Sequence, residues 1–309
     1  MAKRAALFPG QGSQHVGMGK DLYETYDVSR RAFDEAAEVL GFDLKAVCFE
    51  GPEDRLRQTV YTQPALVAHS EAAWRVLKEG GFVPAYVAGH SVGEYSALVA
   101  GGVLSYTDAL RLVKARAEAM QDCGEKNPGT MAAIIGMPDE NMGDLLKEAG
   151  VAGIVEAANF NSPGQTVVSG EIAAVEKAME MAPQFGAKRT IRLNVSGAFH
   201  SPLMEKSVSE LAAMLAEVEF RPAAIPVVSN VTGKPGSDPA EIRELLARQL
   251  LSPVRWSQSM EFMLSRGVSD FVEVGPGNVL CGLLRRIDRS ASCAPCSDVK
   301  TLKEVLGGA

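Results

Sequence analysis

The sequence has no apolar run of membrane-spanning length, no block of like charges and no low-complexity tract. The first absence excludes a helical membrane anchor and the second a charged tail. The third, in a chain that is 46% hydrophobic and 22% charged, excludes disorder. "MAKRAALF" opens on basic residues, but its apolar stretch meets Pro9 and Gly10 too soon for a signal-peptide core, so a cytoplasmic protein is expected. An excess of base is missing as well. With 31 Lys and Arg against 38 Asp and Glu, the net charge of −7 argues against nucleic acid or an anionic membrane as a partner.

Cysteine is sparse: five residues, at 48, 123, 281, 293 and 296, an odd and scattered set that suits reduced thiols better than a disulfide framework. Cys293 and Cys296 form "CAPC", yet no second pair or nearby histidine completes a zinc set, and no metal is expected. A redox site would need a helix directly after the motif; a solvent-near C-terminal segment is the plainer reading. Phosphate cradles are also lacking. In "FPGQGSQHVGMG", His15 stands where a dinucleotide fingerprint needs its third glycine, and no Gly-Lys-Ser/Thr follows. What remains is a Gly-rich turn, expected after an edge strand, whose backbone N–H groups could bind an oxyanion.

What is present reads as α/β. A length of 309 residues suggests about two domains, one of them inserted into the other. "AALF", "AYVAGH", "IPVVSN" and "DFVEVGPG" look like buried parallel strands separated by helical patterns, which places a site at their carboxyl ends. From about 130 to 195 the pattern changes. "TMAAIIGM", "GIVEAANF", "QTVVSG" and "KRTIRLNV" alternate with helical stripes at Met142, Leu145, Leu146 and Ala149 and at Ile172, Val175, Met179 and Ala182. That β-α-β-β-α-β order is a ferredoxin-like split unit. The expected division is a large domain of residues 1–126 and 197–309 and a small one of 127–196, with crossings at "CGEKNPG" and "SGAFHSP" and a cleft between them.

"YVAGHSVGEYSALVAGG" places Ser91 between Gly89 and Gly93, where a strand pattern gives way to a helical one. A strand-turn-helix elbow would project the hydroxyl, and the backbone N–H of Val92 would point toward a reacting oxygen. A serine nucleophile needs a base, and the chain has four histidines. His90 adjoins Ser91 and should diverge from it; His69 sits in a helical stripe as an ordinary satisfied or exposed residue; His15 lies in the Gly-rich loop. His200 stands at the second crossing before Ser201-Pro202, which reads as an N-cap and first-turn proline whose positive end would keep the ring neutral. Arg116 falls in the apolar sector of "TDALRLVKARAEAMQ", with Leu112, Val113, Ala117 and Met120. A buried guanidinium needs an anion: either an internal carboxylate or one that arrives with a substrate.

"FPGQGSQ", "GHSVGE", "NSPGQ", "AFHS" and "EVGPG", spread over essentially the whole chain, resemble the malonyl-CoA:acyl carrier protein transacylases of type II fatty acid synthesis. The resemblance implies an α/β-hydrolase-like large domain with a parallel central sheet and an inserted ferredoxin-like small domain. It implies Ser91 as nucleophile, His200 as general base and an oxyanion hole from the backbone N–H groups of Gln11 and Val92. Arg116 would grip the malonyl carboxylate, and Gln63 matches a pocket position. The family orients its histidine through a backbone carbonyl near a Gln or Asn, which corresponds here to Gln249; Glu273 is a lower-ranked conventional acid. Phe199 in "AFHS" should crowd an α-methyl group and favour malonyl over methylmalonyl units. The implied partners are malonyl-CoA and acyl carrier protein, with no cofactor beyond the coenzyme A thioester substrate. Such carriers are acidic, so docking needs a basic patch: Lys188 with Arg192, or Arg285, Arg286 and Arg289, each equally readable as a solvated charged face. Two other readings stand beside this one: a serine thioesterase or esterase using the same elbow, and a catalytically silent carrier-binding scaffold.

Overall fold

The computed structural model describes residues 3–195 and 197–307, so the expected crossing at 196–202 begins, at Ser196, outside the described residues. Strands β1 (Lys3–Phe8), β2 (Tyr86–Gly89), β3 (Gly129–Ile135), β4 (Val155–Ser162), β5 (Gln165–Glu171), β6 (Arg189–Arg192), β7 (Val227–Val228), β8 (Val268–Val274) and β9 (Ser292–Cys296) form two sheets. The larger is parallel, in the order β7-β2-β1-β8-β9. Strands β1 and β2 are apolar without polar alternation over residues 5–8 and 87–89, as strands covered on both faces require. Ala5, Ala6, Leu7 and Phe8 are all fully buried.

Three expectations fail here. The Gly-rich loop follows the middle strand rather than an edge, because β1 pairs with both β2 and β8. "CAPC" is no solvent-near segment: it belongs to edge strand β9, and Cys296 is buried. Nor are all the thiols reduced. Cys281, in the helix Val279–Ile287, is joined to Cys293 of β9 with their Cα atoms 5.3 Å apart. The return of the chain from that helix into β9 brings the two together, a proximity that spacing alone does not encode. Cys48, Cys123 and Cys296 are free and buried.

The second sheet is antiparallel, in the order β4-β5-β3-β6, and lies wholly between residues 129 and 192. With the helices Met142–Ala149 and Ile172–Met181 it forms the ferredoxin-like β-α-β-β-α-β arrangement. Ile134 and Val168 of the sheet pack with Leu145 and Val175 of those helices in a core of their own. The last strand is shorter than "KRTIRLNV" suggests; Leu193, Asn194 and Val195 run beyond it to a cleft wall. Backbone bonds from Val254 to Ala158 (2.8 Å) and from Phe160 to Val254 (2.9 Å) tie β4 to the larger part of the molecule. No helix among the described residues is long and apolar enough to cross a membrane.

Candidate active site

The pairing of β1 with β2 decides where the site forms. Phe8 lies beside Gly89, so the loops that leave these two strands, Pro9–Gln11 and His90–Val92, emerge together at the carboxyl end of the sheet. His90 N–H donates to the Phe8 carbonyl at 2.9 Å and holds them in step. Ser91 then turns with φ of 52°, a left-handed conformation that a non-glycine residue adopts only when its surroundings impose it. The flanking glycines show the imposition. A Cβ on Gly89 would lie 1.9 Å from the Gly93 carbonyl oxygen, and one on Gly93 would lie 2.2 Å from that of Phe8. Helix Gly93–Ala100 begins immediately afterwards with Val92 as its N-cap residue, so the N–H of Val92 lies at the helix end where backbone donors have no partner four residues back. Val92 and Gln11 both line a cleft of about 460 Å³ that also takes in Ser91, Arg116, Phe199 and His200.

His200 reaches Ser91 from the other side of the cleft. Its Nε2 is 2.8 Å from Ser91 Oγ, and its Nδ1 lies 3.0 Å from the Gln249 carbonyl and 3.1 Å from that of Ser252. Carbonyl oxygens only accept, so Nδ1 carries the proton and the Nε2 lone pair faces the hydroxyl. His200 is held in this pose with φ of 57°. Burial, and next the Arg116 cation, push its pKa down to about 3, so the ring is neutral. The neutrality does not come from a helix cap: Ser201 bonds the Ala198 carbonyl instead, and Pro202–Met204 form only a short 3₁₀ turn.

Arg116 projects from the long helix Tyr106–Lys126 and is 1% exposed. Its Nη2 donates to Ser91 Oγ (3.0 Å) and to Gln249 Oε1 (3.1 Å), and its Nη1 donates to Gln63 Oε1 (2.6 Å). Among the described residues no carboxylate pairs with it, so the internal ion pair considered from sequence is not formed. Burial lowers its pKa, which means the site holds a cation short of its counter-charge. Since a guanidinium only donates, Ser91 Oγ accepts from Arg116 and gives its own proton to His200.

Gln249 organises the rest. Its Nε2 donates to the Ser91 carbonyl (3.0 Å) and to Glu94 Oε2 (2.6 Å). Glu94 also accepts from the Asn230 N–H at 3.3 Å, while Asn230 accepts from Ser91 N–H (2.7 Å) and donates to the Gly89 carbonyl (2.6 Å). Glu94 is 3% exposed, and burial pushes its pKa up to about 7 against the opposing pull of these bonds and of Arg116.

Ser91, His200, Arg116, Gln249, Gln11, Val92, Gln63 and Phe199 therefore converge, although Gln249 and Gln63 stand behind the cleft wall, both bonded to Arg116, and Gln63 also through Nε2 to Met120 Sδ (3.3 Å). Glu273 is elsewhere. At the end of β8 it accepts the N–H groups of Leu280 (3.0 Å) and Cys281 (2.8 Å), and so does not orient His200. Glu273, Cys281 and Cys293 are the one cluster of potential metal ligands among the described residues, and its two sulfurs are bonded to each other. His90 diverges from Ser91, facing Asn161 Oδ1 (2.9 Å) and packing on Trp256. His69 is fully buried outside the cleft, against the backbone of Ser297, and takes no part in the site. Sequence reasoning missed Glu94, Asn230 and the Ser252 carbonyl. For Glu94 a signal existed, because an acid in the first turn of a helix otherwise apolar all round has no solvent face to occupy; the other two left none.

Comparison with known proteins agrees with this geometry. The acyl transferase domain family matches residues 6–305. Malonyl CoA-acyl carrier protein transacylase of Escherichia coli O157:H7 is 46% identical over 307 residues, covering 99% of each chain. That of Bacillus subtilis is 44% identical over 304 residues, 98% of this chain and 96% of the relative. Among solved structures, an acyl carrier protein S-malonyltransferase from Vibrio cholerae superposes with a TM-score of 0.95 at 46% identity, over 98% of this chain and all of the other. A malonyl-transacylase in complex with a type II PKS acyl-carrier protein gives 0.97 at 44%, over 100% of both chains. With an elbow serine, a neutral histidine and an uncompensated arginine in one cleft, and relatives of this closeness along its whole length, the chain belongs to the malonyl CoA-acyl carrier protein transacylase family.

Proposed function

We propose that the cleft moves a malonyl group from malonyl-CoA to the phosphopantetheine thiol of acyl carrier protein through an ester on Ser91. His200 Nε2 takes the Ser91 proton as Oγ bonds to the thioester carbon, and the N–H groups of Gln11 and Val92 receive the resulting oxyanion. Collapse breaks the carbon–sulfur bond, and the His200 proton passes to the departing coenzyme A sulfur. The carrier thiol then returns a proton to His200 as its sulfur attacks the ester, and Ser91 Oγ leaves with that proton. Arg116 holds the malonyl carboxylate throughout. Such pairing also removes the second cause of the low His200 pKa, so the base strengthens as the correct substrate binds. The scheme uses no metal or prosthetic group.

The observation that carries this reading is the pair of contacts at one oxygen: Ser91 Oγ lies 2.8 Å from the histidine and 3.0 Å from an arginine without a carboxylate. A hydrolase has no use for that unpaired cation, and nothing favours the esterase alternative. Brief mixing with malonyl-CoA followed by intact-protein mass spectrometry tests the proposal. One malonyl adduct is expected on the wild type and none on Ser91→Ala; an unmodified wild type would sink it. For the carrier, Arg285, Arg286 and Arg289 together line a surface pocket, whereas Arg192 is engaged with Glu176 at 2.7 Å. Charge reversal of Arg285 and Arg289 is therefore expected to impair transfer to the carrier and to spare acylation by malonyl-CoA.

A further inference from the structure

Glu94 is a buried acid that no step above uses. Its partners are the Gln249 Nε2 at 2.6 Å, the Asn230 N–H at 3.3 Å and the Ser229 hydroxyl. The polarity of the Gln249 side chain follows from this. Its NH₂ meets the Ser91 carbonyl, which can only accept, and a Glu94 oxygen, which accepts in its ionised form, while its oxygen meets Arg116, which can only donate. Turned over, the amide would set its NH₂ against the guanidinium and its oxygen against two oxygens. Gln63 supplies a second acceptor to Arg116 from the opposite helix, so two amide oxygens, one of them polarised by Glu94, hold a cation that no carboxylate neutralises.

We infer that Glu94 is a positioning residue: acting through the Gln249 amide, it holds the Arg116 guanidinium in the orientation that receives the substrate carboxylate. A carboxylate placed directly on Arg116 would fill the position the malonyl group needs. One amide removed, it orders the guanidinium and leaves it without a counter-charge until the substrate carboxylate arrives. The inference rests on the reading of the cleft as a malonyl transferase and adds to it the residue that prepares the carboxylate site. Glu94 also steadies the elbow through Asn230, which donates to the Gly89 carbonyl and accepts from Ser91 N–H. That second effect should touch every acyl substrate alike.

The test separates the two effects. Glu94→Gln presents either an oxygen or an NH₂ to Gln249, so the amide loses its imposed direction. Malonylation of Ser91 is expected to fall by about ten- to a hundredfold in kcat/KM, chiefly through KM, as loss of one charge-assisted contact implies. Acetylation from acetyl-CoA should fall much less. In an Arg116→Ala background the same substitution should no longer alter the malonyl-to-acetyl ratio. Equal losses for both substrates, or a selective loss that persists undiminished without Arg116, would overturn the inference. Should Glu94→Gln fail to fold, Gln249→Met, similar in length and unable to bridge, is expected to give the same selective loss, and an unchanged ratio there counts against the proposal. The wild-type adduct is measured alongside: its absence refutes the transferase reading, whereas its presence with a non-selective Glu94→Gln refutes this inference alone.

Discussion

Two arginines in the same α/β core have opposite surroundings. Arg75, on the helix Thr59–Glu79, donates to both oxygens of Glu35 (3.0 and 2.6 Å) and to Glu71 (2.7 Å); these bonds outweigh its burial and raise its pKa. Arg116 is deeper, meets amides and a hydroxyl in place of carboxylates, and has its pKa lowered. The first is a completed ion cluster whose effect is structural. The second is a cation kept incomplete, and desolvating it without a counter-ion costs stability that an anionic substrate can return on binding. Burial of a charge therefore does not by itself mark a site; burial without a counter-charge does.

The largest effect that would sharpen this contrast is kinetic. Arg116→Ala should reduce malonyl transfer by about a hundred- to a thousandfold while shifting preference toward acetyl-CoA, since a desolvated carboxylate loses its charge-assisted partner. Stability by denaturant titration should hold or rise. Equal loss on both substrates would make Arg116 structural and erase the difference from Arg75.

A second prediction concerns His69, like His200 a buried neutral histidine but outside the cleft. Burial first, with His15 adding to it, lowers its pKa from 6.5 to about 4. The unfolded chain thus binds a proton that the folded one refuses, and stability falls as pH drops from 6.5 toward 4, by about 3 kcal/mol for this residue. His90 and His200, also lowered, act in the same direction. His69→Leu should flatten its share of the slope in unfolding curves measured between those pH values; an unaltered slope would show that the ring is not buried neutral.

Arg75→Ala supplies the mirror experiment. It leaves Glu71 buried without its partner, so a loss of about 2 kcal/mol is expected, with the malonyl-to-acetyl ratio unchanged. A change in that ratio would break the division between the two arginines. The smallest effect is a displaced pH limb. As the proposed general base, His200 must be neutral to act, so activity is expected to be lost as pH falls through its pKa. Because the Arg116 cation helps to hold that pKa low, Arg116→Ala should move the acid limb of acetyl transfer to higher pH. A limb that stays in place would mean that the two groups are not electrostatically coupled.

Much of the site was legible along the chain, and the reasons differ residue by residue. Ser91 announces itself because an elbow demands small neighbours on both sides, a local requirement written as Gly89 and Gly93. Arg116 stood out because a helix has a fixed period and a charge in its apolar sector violates it. His200 was chosen by elimination and by its place at a crossing, although the cap invoked to keep it neutral is absent and burial beside Arg116 does that work. Gln249 was reached only through family resemblance. Its main-chain carbonyl, and that of Ser252, are chemical groups every residue carries, so no pattern singles them out. The bond between Cys281 and Cys293 and the edge strand β9 escaped for a related reason: both depend on which segments the fold lays side by side.

The sequence by itself determined the local events, namely the parallel strands, the antiparallel insertion with its 2.0 and 3.6 periodicities, the strained turn and the misplaced cation, since each follows from steric and hydrophobic rules acting over a few neighbouring residues. The tertiary structure alone decided that an imidazole at 200 and a guanidinium at 116 both come within 3.0 Å of the hydroxyl at 91, and that an amide at 249 and an acid at 94 lie beside them. Hydrogen bonds and desolvation act through space, and over separations of 25 to 155 residues nothing in the order of the chain records which donors and acceptors will be left facing each other.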